Sequence, residues 1–408
     1  MHCHIRTLQK LLIFAALAWA GAGACLAQTP SEEFRGVLLK DAAFTAEEFA
    51  ALERGEAVVK SLPATDKREV AFCGVARLRG DPATLLAAFK ESLTRSGNRV
   101  IRGGGRVGTP PAPEDLQALS LDNGEVEDMK RCAVGGCKVK LSAAMIARLR
   151  SEVDWAAPDY RPAADRLFKA MLFDYVRDYL ARGDAALVEY DDRAGAVRLR
   201  REQPALLGSL PYLNESAPEF AAYLQGFPRA ELPGVENALY WSEVQVGLKP
   251  VILLTHTATY TRRHDDAPQL LVATKQLYAT HYFDSSLSLT LLTSAAVGEG
   301  RAATYLLYAN RSRLDALGGL FGGVRRRVIE TQVLDGLRAV LQQTKLRTEA
   351  PPADAPTSDL RAADEGAGVR PWTGWLFGRA RYLFLALSLV ASLLLLWLHR
   401  RDLKSHGT

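Results

Sequence analysis

One uncharged apolar stretch near the C-terminus constrains this chain more than any other feature of its sequence. It runs from Tyr382 to Leu398, which is at the short end of what crosses the hydrocarbon core of a bilayer. Basic residues flank both of its ends, and Trp372 and Trp397 suit the two membrane–water interfaces. We therefore predict a transmembrane helix over residues 382–398, followed by a short tail over residues 399–408. A sorting signal that is removed after export is the alternative interpretation.

The N-terminus is typical of a secretory signal peptide. Basic residues are followed by an apolar run from Leu11 to Ala20 and then by small residues as far as Ala27. We predict a signal peptide over residues 1–27, with lipidation at Cys25 as the alternative. A cleaved signal starts the mature chain outside the cytoplasm. The main domain is therefore expected on the extracytoplasmic, periplasmic side of the cell membrane, with the tail inside.

Between these ends lies the folded part of the chain. The 408 residues are 48% hydrophobic and 24% charged with a net charge of +5, which is ordinary for a globular protein. No segment combines basic clusters with aromatic residues, so nucleic acid is not an expected partner. We predict one exported domain over residues 28–348 and a flexible linker over residues 349–371, where prolines alternate with small and acidic residues.

The cysteines fit an oxidising compartment. Cys132 and Cys137 are separated by a short loop that contains two glycines, and the pair predicts a local disulfide. Cys73 lies in an apolar run and is predicted to be a buried free thiol.

Hydrophobic periodicity predicts an α+β domain. A central strand over Glu69–Leu78 is followed by a helix that opens at Asp81 and Pro82, and residues 113–239 are predicted to be mainly helical. The best of these helices spans Asp159–Arg182 and stops at Gly183. Four successive antiparallel strands and a long C-terminal helix come next, over Val251–Arg262, Leu270–His281, Phe283–Leu292, Ala302–Ser312 and Leu317–Leu346.

The sequence contains no G-x-S-x-G, no H-E-x-x-H and no P-loop motif. Gly103–Gly108 matches the dinucleotide pattern G-x-G-x-x-G, but prolines follow where a helix should begin, so we predict a flexible loop and no cofactor. His256 and His281 are predicted on neighbouring strands, where with Asp265 they would form a metal or hydrolytic site. The spacing carries no signature, and hydrogen-bonded histidines of the sheet are the preferred interpretation. No catalytic residue and no metal ligand are assigned.

Polar side chains at sheet positions give the candidate ligand site. Lys275 and His281 share parity with apolar neighbours on their strand, so one face of the sheet is expected to mix apolar and cationic groups. That face is expected to meet the C-terminal helix and to enclose an anionic amphiphile, with its headgroup at Lys275. A solvated, outward-facing Lys275 is the alternative. The candidate ligand-binding residues are Lys275, Tyr278, His281, Tyr260, Leu271, Leu277 and Arg311.

The order of elements resembles the START-like, helix-grip superfamily of ligand-binding domains. The resemblance rests on Glu69–Leu93 and Lys249–Leu346, that is, one strand with a following helix, then the four-strand meander and the long terminal helix. It implies a curved sheet around that helix, a cavity between them, and a helical insertion over residues 113–239. It also implies a lipid or another hydrophobic molecule as the ligand.

These patterns predict a membrane-tethered, exported binding domain for a lipid or another hydrophobic molecule. Two alternatives stay open. One is a membrane-anchored, hydrolase-like enzyme that uses His256 and His281, and the other is an envelope scaffolding protein.

Overall fold

The computed structural model describes residues 32–78, 85, 101–246, 249–264, 267–297, 301–318 and 322–349. The chain divides into two compact units, Met1–Ala350 and Pro351–Thr408, and every described residue belongs to the first of them. The predicted signal peptide, transmembrane helix and tail lie outside the described residues, as do almost all of the linker and of the helix predicted after Asp81. Within the described ranges, no helix has both the length and the apolar composition that a membrane span requires.

The strands form one large sheet and one small ribbon. Their bounds are β1 (Val58–Ser61), β2 (Glu69–Leu78), β3 (Ile101–Val107), β4 (Glu189–Tyr190), β5 (Val197–Arg198), β6 (Val235–Val246), β7 (Lys249–His264), β8 (Ala267–Ala279), β9 (Phe283–Val297) and β10 (Arg301–Leu314). Eight of them form an antiparallel sheet in the order β1-β2-β10-β9-β8-β7-β6-β3, and β4 pairs with β5.

Helices precede, interrupt and follow this sheet. Their bounds are α1 (Glu32–Asp41), α2 (Ala46–Glu53), α3 (Asn123–Lys130), α4 (Ala143–Glu152), α5 (Tyr160–Arg182), α6 (Leu199–Gly208), α7 (Pro211–Ser216), α8 (Pro218–Gly226) and α9 (Gly322–Glu349). Short 3₁₀ turns span Pro113–Leu116, Gly183–Ala186 and Asp315–Leu317. The α+β class, the antiparallel sheet and the long C-terminal helix are confirmed.

Helix α5 ends at Gly183, as predicted, and the structure shows why this position requires a glycine. Gly183 has a φ of +60°, and a Cβ at this position would lie 1.9 Å from the carbonyl oxygen of Phe227. A side chain here is therefore excluded both by the left-handed backbone and by the close approach of another segment. The α5 helix consequently turns directly into the 3₁₀ segment that carries Asp184.

The four-strand meander is confirmed as β7 to β10, but the sequence missed β6. The prediction placed residues 113–239 in a mainly helical segment, whereas β6 begins at Val235 and pairs with β7 along its whole length. The meander is therefore extended by a fifth long strand, and the helical layer ends at α8.

The predicted glycine loop is wrong, because Ile101–Val107 forms strand β3 at the sheet edge. Gly105 is paired with Trp241 of β6, and a Cβ on Gly105 would lie 2.5 Å from the indole nitrogen. That nitrogen donates a hydrogen bond to the carbonyl oxygen of Asp115 at 2.9 Å. The glycines thus leave room for the indole ring to lie across the edge strand.

Alternating residues give the sheet two different faces. Cys73, Leu271 and their neighbours of the same parity define the first face, which packs against α1, α2 and α6 to α8. Ala76 and Val272 belong to the second face, where Leu341 of α9 and Leu85 pack. Further along β6 to β8, helices α3 to α5 cover the first face.

The predicted contact between the Lys275 face and the C-terminal helix is therefore wrong. Leu271 lies under the N-terminal and middle helices, and α9 crosses the opposite side of β2. A Cβ on Gly74 would lie 2.7 Å from side-chain atoms of Leu337 and Leu341. The helical middle supplies about half of the buried hydrophobic residues in the described part of the chain.

An irregularity in β8 explains part of this error. The pairing of β7 with β8 shifts between Leu254 and Thr255, so that Thr255 opposes Gln276 while Leu254 opposes Tyr278. One extra residue in β8 reverses the parity beyond this point. Strict alternation from Lys275 to His281, on which the sequence prediction depended, does not hold.

The predicted cysteine states are confirmed. Cys132 and Cys137 form a disulfide, and Cys73 is a buried free thiol. Within the disulfide loop, the backbone N–H of Gly135 donates to the carbonyl oxygen of Asp191 at 2.7 Å. The backbone N–H of Cys137 donates to the carbonyl oxygen of Asp192 at 2.8 Å, so the loop is docked onto the chain that follows β4.

Candidate functional site

Lys275 lies in the interior of the protein, between the sheet and the helices of the first face. Its Nζ donates to Oδ1 of Asp184 at 2.6 Å and to the carbonyl oxygen of Leu224 at 3.4 Å, and the residue is 5% exposed. The gap beside it leaves only about 10 Å³ for the centre of a water molecule. The alternative of a solvated Lys275 is therefore wrong, and the gap beside it, which has room for about one water molecule, is too small for an amphiphile headgroup.

Tyr278 and His281 fasten the chain that precedes α4 to the sheet. The hydroxyl of Tyr278 donates to the carbonyl oxygen of Lys140 at 2.6 Å. Nδ1 of His281 lies 3.0 Å from the carbonyl oxygen of Lys138, and its Nε2 lies 3.2 Å from Oε1 of Glu125. Both side chains are buried and used in these contacts, which makes them structural in this arrangement.

His256 has a separate set of partners, so the two histidines do not form one site. Its Nδ1 lies 2.8 Å from the hydroxyl of Tyr179 and its Nε2 lies 2.9 Å from Oδ1 of Asn237. On β8 the direct neighbour of His256 is Lys275. Lys275 precedes His281 by six residues, so His256 lies roughly 15–20 Å from His281 along the strand direction. Burial lowers the pKa of His256 to about 3, and nearby Lys275 lowers it too, so the imidazole is neutral.

The metal or hydrolytic site considered from the sequence would need Asp265 beside His256 and His281. Asp265, the third predicted ligand, lies outside the described residues. Among the residues that are described, no three His, Cys, Asp or Glu side chains gather as a metal site.

The apolar members of the predicted site belong to different parts of the core. Leu271 and the partly buried Tyr260 pack with α6 to α8, and the Tyr260 ring lies 5.4 Å from that of Phe220. Leu277 packs instead with α3 to α5. The sequence therefore grouped residues that the fold distributes over two regions of the first face.

Arg311 is the one predicted site residue that borders a cavity beneath α1. The cavity lies between α1, the start of α7 and the first face of the sheet, and it contains about 440 Å³ of unfilled space, including space open to solvent. About 40 Å³ of this space admits the centre of a water molecule. Its lining consists of Val37, Leu38, Asp41, Ala42, Leu62, Cys73, Ser209, Leu210, Pro211, Tyr212, Leu289, Leu307, Ala309 and Arg311.

Two charged residues, Asp41 and Arg311, border this mostly apolar cavity. Nη1 of Arg311 donates to Oε1 of Glu69 at 2.5 Å and to the carbonyl oxygen of Pro63 at 3.1 Å. Its Nε–H is buried and has no hydrogen-bond partner among the described residues. Burial raises the pKa of Asp41 and the charge of Glu215 raises it further, while the backbone N–H of Tyr212 lowers it.

The Arg311–Glu69 pair is one end of a buried ionic network. Arg313 lies 3.7 Å from Glu69 and 2.6 Å from Glu202, and Arg68 lies 3.2 Å from Glu202. Arg68 then reaches Asp284 at 3.1 Å. The network joins β2, β10, α6 and the start of β9, so the charge of Arg311 is balanced inside the protein.

Asp284, like Glu69, is a fully buried carboxylate of this network. Lys140 lies 2.9 Å from it and Arg193 2.6 Å, in addition to Arg68. Burial alone raises the pKa of Asp284, but Lys140 and Arg193 outweigh this effect and the pKa ends below its usual value. This carboxylate holds the β8–β9 corner against the helical middle.

Cys73 forms part of the cavity wall, which sequence reasoning did not recognise. The thiol belongs to β2 and is 1% exposed, and burial raises its pKa to about 12. The wall from α1 was also missed, although Phe34, Val37, Leu38 and Asp41 have the spacing of one helical face.

Comparison with protein-family models finds no match to this chain, and comparison with curated proteins finds no significant relative. The assignment of function therefore depends on the geometry described above.

Proposed function

We propose that this chain is a membrane-tethered, exported binding domain, and that the cavity beneath α1 takes the apolar part of a hydrophobic ligand. The observation that carries this proposal is the lining of the cavity. Eleven of its fourteen residues are apolar, and the three others are Asp41, Ser209 and Arg311. A mostly apolar cavity with a few polar groups is the usual form of a site for a small amphipathic molecule.

The location differs from the one that the sequence predicted. Lys275 is held by its ion pair with Asp184, and the gap beside it admits the centre of a water molecule over only about 10 Å³, against about 40 Å³ in the cavity near Arg311. The ligand class of the sequence prediction is retained, and its binding site is moved from Lys275 to the neighbouring cavity on the same face.

The volume of the cavity sets a condition on binding. A space of about 40 Å³ for water centres holds a few atoms and not a whole acyl chain. A longer tail requires α1 to move away from the sheet. The Lys40–Glu215 ion pair, which joins α1 to α7, is exposed, with side chains 66% and 55% accessible, so it opposes such a movement only weakly.

The terminal segments supply the cellular context of the proposal. A signal peptide over residues 1–27 and a span over residues 382–398 would hold the domain outside the cytoplasm and close to a bilayer. A linker of the predicted length keeps a binding domain at high effective concentration beside the membrane that contains amphiphiles.

The proposal is tested by filling the cavity. Ala309→Leu places a larger side chain into the space beside Cys73, and Ala339→Leu makes the same change at an exposed position of α9. Full-length wild type and both variants are purified from membranes, and small molecules that copurify are measured by mass spectrometry. We expect an apolar molecule with the wild type and with Ala339→Leu, and its loss with Ala309→Leu.

A folding control accompanies this test. Thermal unfolding of Ala309→Leu shows whether the variant keeps its structure, and Leu307→Ala, which enlarges the same cavity, is expected to retain the ligand. Equal amounts of ligand in wild type and folded Ala309→Leu would show that this cavity is not the binding site.

A further inference from the structure

We propose that the ligand of the α1 cavity is an uncharged amphiphile that carries a hydroxyl or ester group, and not an anionic one. This inference rests on the proposed function and specifies its ligand class. It follows from three polar features of the cavity, namely the pairing of Arg311, its remaining donor and the position of Asp41.

The charge of Arg311 is already compensated. Glu69 lies 2.5 Å from its Nη1 and is itself completely buried, and no other cation lines the cavity among the described residues. An anionic headgroup that entered here would therefore find no free positive charge. Transfer of an unpaired carboxylate from water into such a site is strongly unfavourable.

The carboxylate of Asp41 adds to this discrimination. It lines the cavity, and the charge of Glu215 acts on it from α7. Lys40, the nearest cation on α1, is paired with Glu215. A second carboxylate at this position would therefore be repelled by Asp41, whereas a ligand hydroxyl would donate a hydrogen bond to it.

Arg311 provides the complementary donor. Arg311 lines the cavity, and its buried Nε–H has no partner among the described residues, although buried donors in proteins are nearly always satisfied. An ester carbonyl or a hydroxyl oxygen of the ligand would accept this hydrogen bond without bringing a charge. An uncharged group with one acceptor and one donor thus satisfies both Arg311 and Asp41.

The experiment compares three probes of one chain length on the full-length protein in isolated membranes. Decanol, methyl decanoate and decanoate, each with an aliphatic diazirine, are photo-crosslinked at neutral pH, and adducts are mapped by mass spectrometry. We expect adducts on α1 and on the β10 peptide around Ala309 with the two neutral probes. Labelling of these peptides by decanoate should be lower by at least about tenfold, because its charge stays unpaired.

Asp41→Asn supplies the matched variant. It removes the negative charge while its amide oxygen still accepts from the backbone N–H of Tyr212, and it should raise labelling by decanoate without raising that by methyl decanoate. Equal or stronger labelling by decanoate in the wild type would overturn the inference and leave the binding site in place. Absence of cavity adducts with all three probes would overturn the proposed function as well.

Discussion

The ammonium group of Lys275 lies 2.6 Å from the carboxylate of Asp184, on the sheet face opposite to the C-terminal helix. The Lys275 side chain is 7% exposed and that of Asp184 is 24% exposed, so this pair is largely shielded from water. It connects β8 to the turn that follows α5. A residue that the sequence marked as a ligand contact is therefore part of the interface between the sheet and the helical layer.

The first prediction concerns the stability that this pair provides. Lys275→Met should lower the free energy of unfolding by about 2–4 kcal/mol, because it leaves a partly buried carboxylate without its cation. Combining it with Asp184→Asn should recover a large part of the loss, since the unpaired charge is then removed. Urea unfolding of the four proteins measures the coupling. An unchanged stability in Lys275→Met would contradict the buried pair.

The second prediction concerns the edge strand β3. Gly105→Ala should destabilise the domain by about 1–3 kcal/mol, because the new methyl group would lie 2.5 Å from the indole nitrogen of Trp241. Gly103→Ala is the matched control, since its Cβ would meet the same ring at an ordinary 3.8 Å. Thermal unfolding of both variants should separate them clearly. Similar melting temperatures would mean that the indole does not cover Gly105.

The third prediction is a pH dependence that arises from His256. Its pKa is about 3 in the folded protein, against 6.5 as the ordinary value, so below about pH 6.5 the unfolded chain binds a proton that the folded chain does not. The contribution of the neutral His256 to the free energy of unfolding is therefore fully present above this pH, and it decreases as the pH falls below it. Between about pH 7.5 and about pH 5 the expected loss is about 2 kcal/mol.

His256→Gln isolates this contribution from those of the carboxylates. The variant is less stable at every pH, because Tyr179 and Asn237 lose their ring partner, but its slope of stability against pH should be smaller than that of the wild type. Urea unfolding at several pH values measures both slopes. Parallel slopes would show that His256 does not titrate differently in the two states.

The fourth prediction concerns topology. The predicted signal peptide and the predicted span over Tyr382–Leu398 would place the main domain outside the cytoplasm and the tail inside. Protease added to intact spheroplasts should digest the domain and spare an epitope tag placed after Thr408. Lysed spheroplasts, in which the tag is also digested, provide the control. Protection of the domain in intact spheroplasts is the result that this topology cannot accommodate.

Local patterns in the sequence predicted the elements whose geometry depends on neighbouring residues. The helix over Asp159–Arg182 with its stop at Gly183, the meander of β7 to β10 and the Cys132–Cys137 bond all follow from spacing within a few residues. Helical and strand periodicity, the backbone freedom of glycine and the closure of a short loop act over such distances. These features could therefore be identified before any tertiary contact was known.

The candidate site required contacts between residues far apart in the chain. Arg311 was singled out from its sheet position, but its neighbours Asp41 and Cys73 come from α1 and β2, and no local pattern connects them. In the same way, one extra residue in β8 reversed the side-chain parity after Lys275. Residue spacing defines the strands, whereas long-range packing decides which helix covers each face and where unfilled volume remains.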